Sequence, residues 1–164
     1  MQLVTRVIAL SRAIQLRRQL RDVNKSLEQL TPAVRRQLAA IAIREFNSAS
    51  SSEFPHLYGT PPEEKYRAWG AGTEIGLERL QSENLQVRLR GIALWLTVAF
   101  HETKDSPYAE QQDLHRQVMR AMRSLKESVP EDQLRQCMKE GAEAAWAADP
   151  SRPRSIRRRS FCDA

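Results

Sequence analysis

Cysteine, histidine, glycine, proline and aromatic residues are all scarce in this chain, and each shortage removes a class of protein. Two cysteines in 164 residues leave no room for a disulfide scaffold, and with only three histidines a multi-zinc protein is excluded. Cys137 and Cys162 stand too far apart in sequence for a paired metal or redox motif, and a reducing compartment is the natural inference. Six glycines and eight prolines exclude a collagen-like fibre. Aromatic residues amount to 6%, while leucine, alanine, glutamine, glutamate and arginine dominate, a composition that favours helix over strand. No long apolar run exists either. The most apolar stretch, Gly91 to Phe100, is bounded by Arg90 and His101 and is too short to span a bilayer. It reads as a buried helix, with Ile92, Trp95, Leu96 and Phe100 in the main core. The length suits one globular domain and excludes a large multi-domain enzyme.

Charge is present, and unevenly. Residues 1 to 21 hold Arg6, Arg12, Arg17, Arg18 and Arg21 and no acid, whereas residues 150 to 164 hold Arg152, Arg154, Arg157, Arg158 and Arg159 against Asp163. Subtracting these contributions of +5 and +4 from the total of +6 leaves −3 for residues 22 to 149. The body is mildly acidic between two basic ends, which suits contact of those ends with an anionic partner rather than a basic groove in the body.

Helix starts are legible where threonine or serine precedes proline or stands three residues before glutamate, since the side chain caps free N–H groups. Starts are predicted near Thr31, Thr60, Ser106 and Ser128, with breaks at Asn47 to Ser52 and at Asp149-Pro150. No alternating strand pattern appears. The chain reads as all-α, with about six helices arranged as three antiparallel pairs, in an irregular helical bundle or a short HEAT-like solenoid. Apolar stripes at helical spacing run through Val34, Leu38, Ile41 and Ala42; Leu85, Leu89, Ile92, Leu96 and Ala99; Leu114, Val118, Met122, Leu125 and Val129; and Leu134, Met138, Gly141 and Ala145. Gly70, Gly72 and Gly76 interrupt the third segment, where a bend or short loop is expected, and they also read as close-packing glycines. Residues 1–149 form the expected domain, with a partly separate amphipathic helix at 1–28, and 150–164 a disordered basic tail.

The solenoid alternative rests on a weak repeat. Val34-Arg35, Val87-Arg88 and Leu134-Arg135 each open an apolar helix that ends at an aromatic residue, Phe46, Phe100 and Trp146. The pattern looks like HEAT repeats, each matched helix being the second of a hairpin.

The first segment carries two stripes. At 100° per residue, Leu3, Val7, Leu10 and Ile14 share one face, and Leu16, Leu20, Val23 and Leu27 cluster nearly opposite. Either the helix kinks near Gln15, or the second stripe packs on the body and the first is offered to a second copy or another chain.

No enzyme signature, cofactor motif or metal set emerges. Gly70-Ala71-Gly72 with Gly76 lacks dinucleotide-fingerprint spacing and a preceding strand. His101-Glu102 has no second histidine one turn away, and His115 is preceded by Gln112 where a di-iron motif needs glutamate. His101 is read as a helix-end cap. Glu74 and Glu78, one turn apart near Trp69, are a conceivable acid–base pair only if a pocket joins them to His101. Cys137 reads as a small buried hydrophobe.

The stretch Arg152-Pro-Arg-Ser-Ile-Arg-Arg-Arg-Ser is the most distinctive. Three readings compete for it: weak, nonspecific binding of nucleic acid or anionic lipid through its arginines, a targeting address, and an inert tail. It is similar to the arginine-rich C-terminal signals of type IV secretion substrates, which implies export as a small effector. Ser160 after three arginines resembles a basophilic-kinase site. The acid-free amphipathic start suits a mitochondrial presequence if the source is eukaryotic, and a cytoplasmic location is otherwise expected. The function expected is that of a helical interaction or adaptor protein, using the N-terminal helix and the basic tail to engage a protein partner, a second copy or an anionic surface.

Overall fold

The computed structural model describes residues 2–48 and 62–148, and these are helical throughout apart from short turns. The elements are α1 (Gln2–Glu28), α2 (Pro32–Ser48), α3 (Pro62–Leu80), α4 (Leu85–Thr103), α5 (Ala109–Glu127) and α6 (Glu131–Ala148). The expected all-α fold with six helices is what forms.

Local chemistry sets most of the boundaries. Thr31 caps α2 as anticipated, its hydroxyl accepting from the Val34 N–H at 3.3 Å and its carbonyl from the Arg35 N–H at 2.8 Å. The Arg35 guanidinium then donates to the Leu27 carbonyl at 2.9 Å, satisfying the exposed C-terminus of α1. Asn84, which the sequence reading passed over, caps α4 by accepting from the N–H groups of Gln86 and Val87. Two expected caps act differently. Ser106 closes a turn by accepting from the Tyr108 N–H, so that α5 opens at Tyr108 without a side-chain cap. Ser128 ends α5, donating to the Leu125 carbonyl at 2.6 Å, and α6 opens instead at the Pro130 carbonyl. Thr60 lies outside the described residues.

Helix α4 is the axis of the bundle. Every residue from Gly91 to Ala99 is buried, as are Leu89, Glu102 and Thr103, because neighbouring helices cover α4 on all sides. Trp95 is fully buried, and its indole N–H donates to Gln19 Oε1 at 2.9 Å, so that the largest core side chain is also hydrogen-bonded. Ile92 and Leu96 are buried as expected, while Phe100 is half-buried and meets Phe46 edge-on at 4.7 Å between ring centres. The buried stripes of α2 and α5 follow the sequence pattern through Leu38, Ala42, Leu114, Val118, Leu125 and Val129. In α6 Leu134 packs against the core and Cys137 is buried, both as expected, while Met138 is exposed. Glu140 of α6 pairs with Arg44 of α2, with an N–O distance of 2.9 Å.

The most extensive packing joins α3 to α4, then α2 to α6, and α2 to α4. Contact between α2 and α6 is the mark of an irregular bundle, since in a row of stacked hairpins the first and third pairs would be separated by the second. The repeated apolar-arginine dipeptides are not equivalent in space. Arg35 holds a carbonyl, Arg88 is exposed, and Arg135 pairs with Glu131 one turn away.

No loop interrupts α3 at its glycines. Helices α3 and α4 cross at Gly76 and Gly91, close enough that a Cβ added at Gly91 would lie 2.6 Å from Arg79 Cβ and 2.7 Å from the Gly76 carbonyl oxygen. Glycine is required there by contact between backbones. Gly70, in the same helix, has nothing within 4 Å of such a Cβ. Gly91→Ala is therefore expected to destabilise the fold by about 1–3 kcal/mol through overpacking. Gly70→Ala should instead stabilise it by roughly 0.5–1 kcal/mol through helix propensity. Urea unfolding of the two variants checks both signs.

Candidate interaction face on the first helix

Helix α1 is continuous from Gln2 to Glu28, with its second stripe packed on the body and its first exposed. Leu16, Leu20, Val23 and Leu27 are buried in the core cluster. Leu3, Val7, Leu10 and Ile14 are exposed, at 78%, 60%, 44% and 45% of their full surface, and Val4 and Ile8 beside them at 62% and 45%. Residues 3–8 are exposed on every side, so the first two turns stand clear of the body.

The inward side of the N-terminal half is made of small and polar residues. Ala9 and Ala13 let α1 approach closely, and between them Arg12 enters the body. Its guanidinium donates to both carboxylate oxygens of Glu102, at 2.8 and 3.1 Å, with one nitrogen also reaching Thr73 Oγ1 at 2.8 Å and the remaining one Gln15 Oε1 at 2.7 Å. Thr73 passes its own proton to the Gly70 carbonyl, so its oxygen is free to accept from Arg12. Gln111 of α5 donates to the Ala9 carbonyl at 3.3 Å, and Arg17 meets Asp113 at 3.3 Å on the surface. Through Thr73, Glu102, Trp95 and Gln111, polar contacts thus bind α1 to α3, α4 and α5. Sequence reasoning counted Arg12 in a basic end suited to an anionic partner and Glu102 in a failed metal motif. Their partnership spans 90 positions in sequence, and no local pattern signals it.

Burial pushes the Glu102 carboxyl above its ordinary pKa, with the hydrogen bonds and charge of Arg12 pulling the other way. The pair is fixed by geometry, and desolvation is its main opposing force.

The other candidates disperse. Glu74 and Glu78 are both exposed, and Trp69 is half-buried. An open groove of about 210 Å³ lies elsewhere, lined by Asn24, Leu27, Glu28, Arg35, Ala121, Ser124 and Leu125. His101 is not a cap. Its ring stacks on Phe46, with centres 5.8 Å apart, and its Nε2 is buried without a hydrogen-bond partner. The Thr103 hydroxyl donates to the Ala99 carbonyl at 2.7 Å and lies within hydrogen-bond distance of His115 Nδ1, at 3.0 Å. Among the described residues no group of three or more histidine, cysteine or acidic side chains could hold a metal ion, and no helix is long and apolar enough to cross a membrane. The five tail arginines, Arg152, Arg154, Arg157, Arg158 and Arg159, lie outside the described residues. Comparison with protein-family profiles, curated proteins and solved structures finds no match to this chain.

Two predictions follow from the buried groups. Arg12→Met or Glu102→Leu alone should destabilise by about 3–5 kcal/mol, because each leaves its partner buried and unpaired. The double variant Arg12→Met with Glu102→Leu should recover most of that loss, and additive losses on denaturant unfolding would contradict the coupling. The second concerns pH. Burial lowers the pKa of His101, with Lys104 adding to the effect and Asp105 opposing it, and burial likewise lowers that of His115. The unfolded chain then takes up protons first, so stability complete above the ordinary histidine pKa of about 6.5 is lost as pH falls through and below that value. Glu102 contributes a slope of the opposite sign, its raised pKa favouring the protonated fold. His101→Leu should therefore flatten the fall in Tm on acidification from about pH 7.5 to 5.5. A slope equal to that of the native chain would remove His101 from the account.

Proposed function

We propose that the chain is a non-enzymatic interaction protein whose helical body holds out the N-terminal half of α1 as a contact surface. The observation that carries this reading is the exposure of Leu3, Val4, Val7, Ile8, Leu10 and Ile14 on a helix anchored along its other side. Leaving six aliphatic side chains in water is unfavourable, and contiguous exposed apolar surface is a mark of contact sites. Their carrier is not a loosely attached segment, since Arg12 and Gln19 tie the same helix to the core. A rigid presenting helix loses little entropy on binding, which favours recognition. In this reading the arginines of residues 150–164 supply a second, electrostatic contact to an anionic partner.

Replacing Val7 and Leu10 together with aspartate tests the reading. Both side chains are exposed, so the fold's stability should change by no more than about 0.5 kcal/mol. In fractionated extracts of the cells that make it, the native protein should run with a larger assembly or with membranes and the variant as a free monomer. An identical distribution for the two would overturn the proposal.

A further inference from the structure

The outward face of α1 changes character along its length. Continuing Leu3, Val7, Leu10 and Ile14 at the same spacing of three and four leads to Arg17, Arg18 and Arg21, so one face is aliphatic for about three turns and then basic. Arg17 is held by Asp113, whereas Arg18 and Arg21 are exposed, as is Arg6 among the aliphatic residues. The first acid in the helix is Asp22.

We propose that this end of α1 docks on an anionic phospholipid surface, the aliphatic turns entering the acyl boundary and Arg18 and Arg21 meeting lipid phosphates. The inference rests on the reading of α1 as a contact surface and names its partner. Two observations favour lipid over a second copy of the chain. A copy packed along Leu3, Val7, Leu10 and Ile14 would cover one side only and leave Val4 and Ile8 in water, since they lie roughly 90–130° round the helix from the centre of that stripe. A bilayer boundary covers a projecting tip on all sides. Charge points the same way: a parallel pair of α1 helices would set Arg18 and Arg21 against their copies along the seam, with no acid among residues 1–21 to compensate, whereas lipid phosphates complement both. The long Arg6 side chain can reach the headgroups from among its aliphatic neighbours. Entry of the first turns of an amphipathic helix into the interface, with basic residues at the headgroups, needs no membrane-spanning length.

Co-sedimentation of the full chain with phosphatidylcholine vesicles, with and without phosphatidylserine, tests this. Binding is expected to anionic vesicles and to fall roughly thirtyfold in Arg18→Gln with Arg21→Gln, at about one arginine's surface attraction each. Val7→Ser with Leu10→Ser should weaken it by about tenfold or more through lost apolar burial. Val87→Ser with Met138→Ser, which changes exposed apolar residues elsewhere, should bind as the native chain does. Far-UV circular dichroism verifies that each variant is folded. Native-like binding by both α1 variants would assign the attraction to other basic residues and overturn the proposal, as would failure of the native chain to bind. Sedimentation velocity without lipid separates the two levels of inference. Self-association that Val7→Ser with Leu10→Ser abolishes, joined to absence of vesicle binding, would keep α1 as a contact surface and reject lipid as its partner.

Discussion

The bidentate contact between Arg12 and Glu102 fixes the orientation of α1 and, through it, what the molecule shows to its surroundings. Helix α1 has apolar side chains on two faces, and burial of aliphatic surface alone would favour turning either of them inward. A guanidinium aimed at a carboxylate, with Thr73 and Gln15 accepting its remaining donors, admits only one rotation about the helix axis. Hydrogen bonds are directional where the hydrophobic effect is not, and a buried charge away from its partner would be far less favourable than an aliphatic side chain left in water. The pair thus contributes specificity more than stability, since burial works against the charged form of Glu102.

Helix α4 makes this possible. It carries Glu102 near one end and Trp95 at its centre, so the same buried element receives two polar contacts from α1, two turns apart on the first helix. Its approach to α3 at Gly76 and Gly91 brings Thr73 within reach of Arg12. Close backbone contact on one side of α4 and hydrogen bonding on the other are linked. A bulkier residue at the crossing would push α3 outward and carry Thr73 with it.

For function, the consequence is an inversion of the usual helix pattern. In its N-terminal half α1 turns alanine and arginine inward and leucine, valine and isoleucine outward. Such an arrangement is explained when the outward residues have a partner of their own, and the arginines that follow on the same face give that partner a negative charge. Rigid attachment of the C-terminal half and projection of the first two turns together make α1 a presented surface.

Composition and spacing determined that the chain is helical, where most helices begin and which face of α2, α4 and α5 is buried, because these properties depend on residues within a turn or two of one another. Thr31 caps its helix by a contact three residues long. Even the division of α1 into two opposed stripes was visible from the 100° turn per residue. What spacing left open was which stripe would face the body. It also took Met138 for an inward residue of α6, counted Arg12 only as part of a basic end, read His101 as a cap, and left the α3 glycines between a bend and close packing. Each of these depends on a partner far away in sequence: Glu102 for Arg12, Phe46 for His101, Gly91 for Gly76. Only tertiary packing decides such pairings, because whether a charge, a ring or a bare backbone is favourable inside depends on what the rest of the chain brings against it.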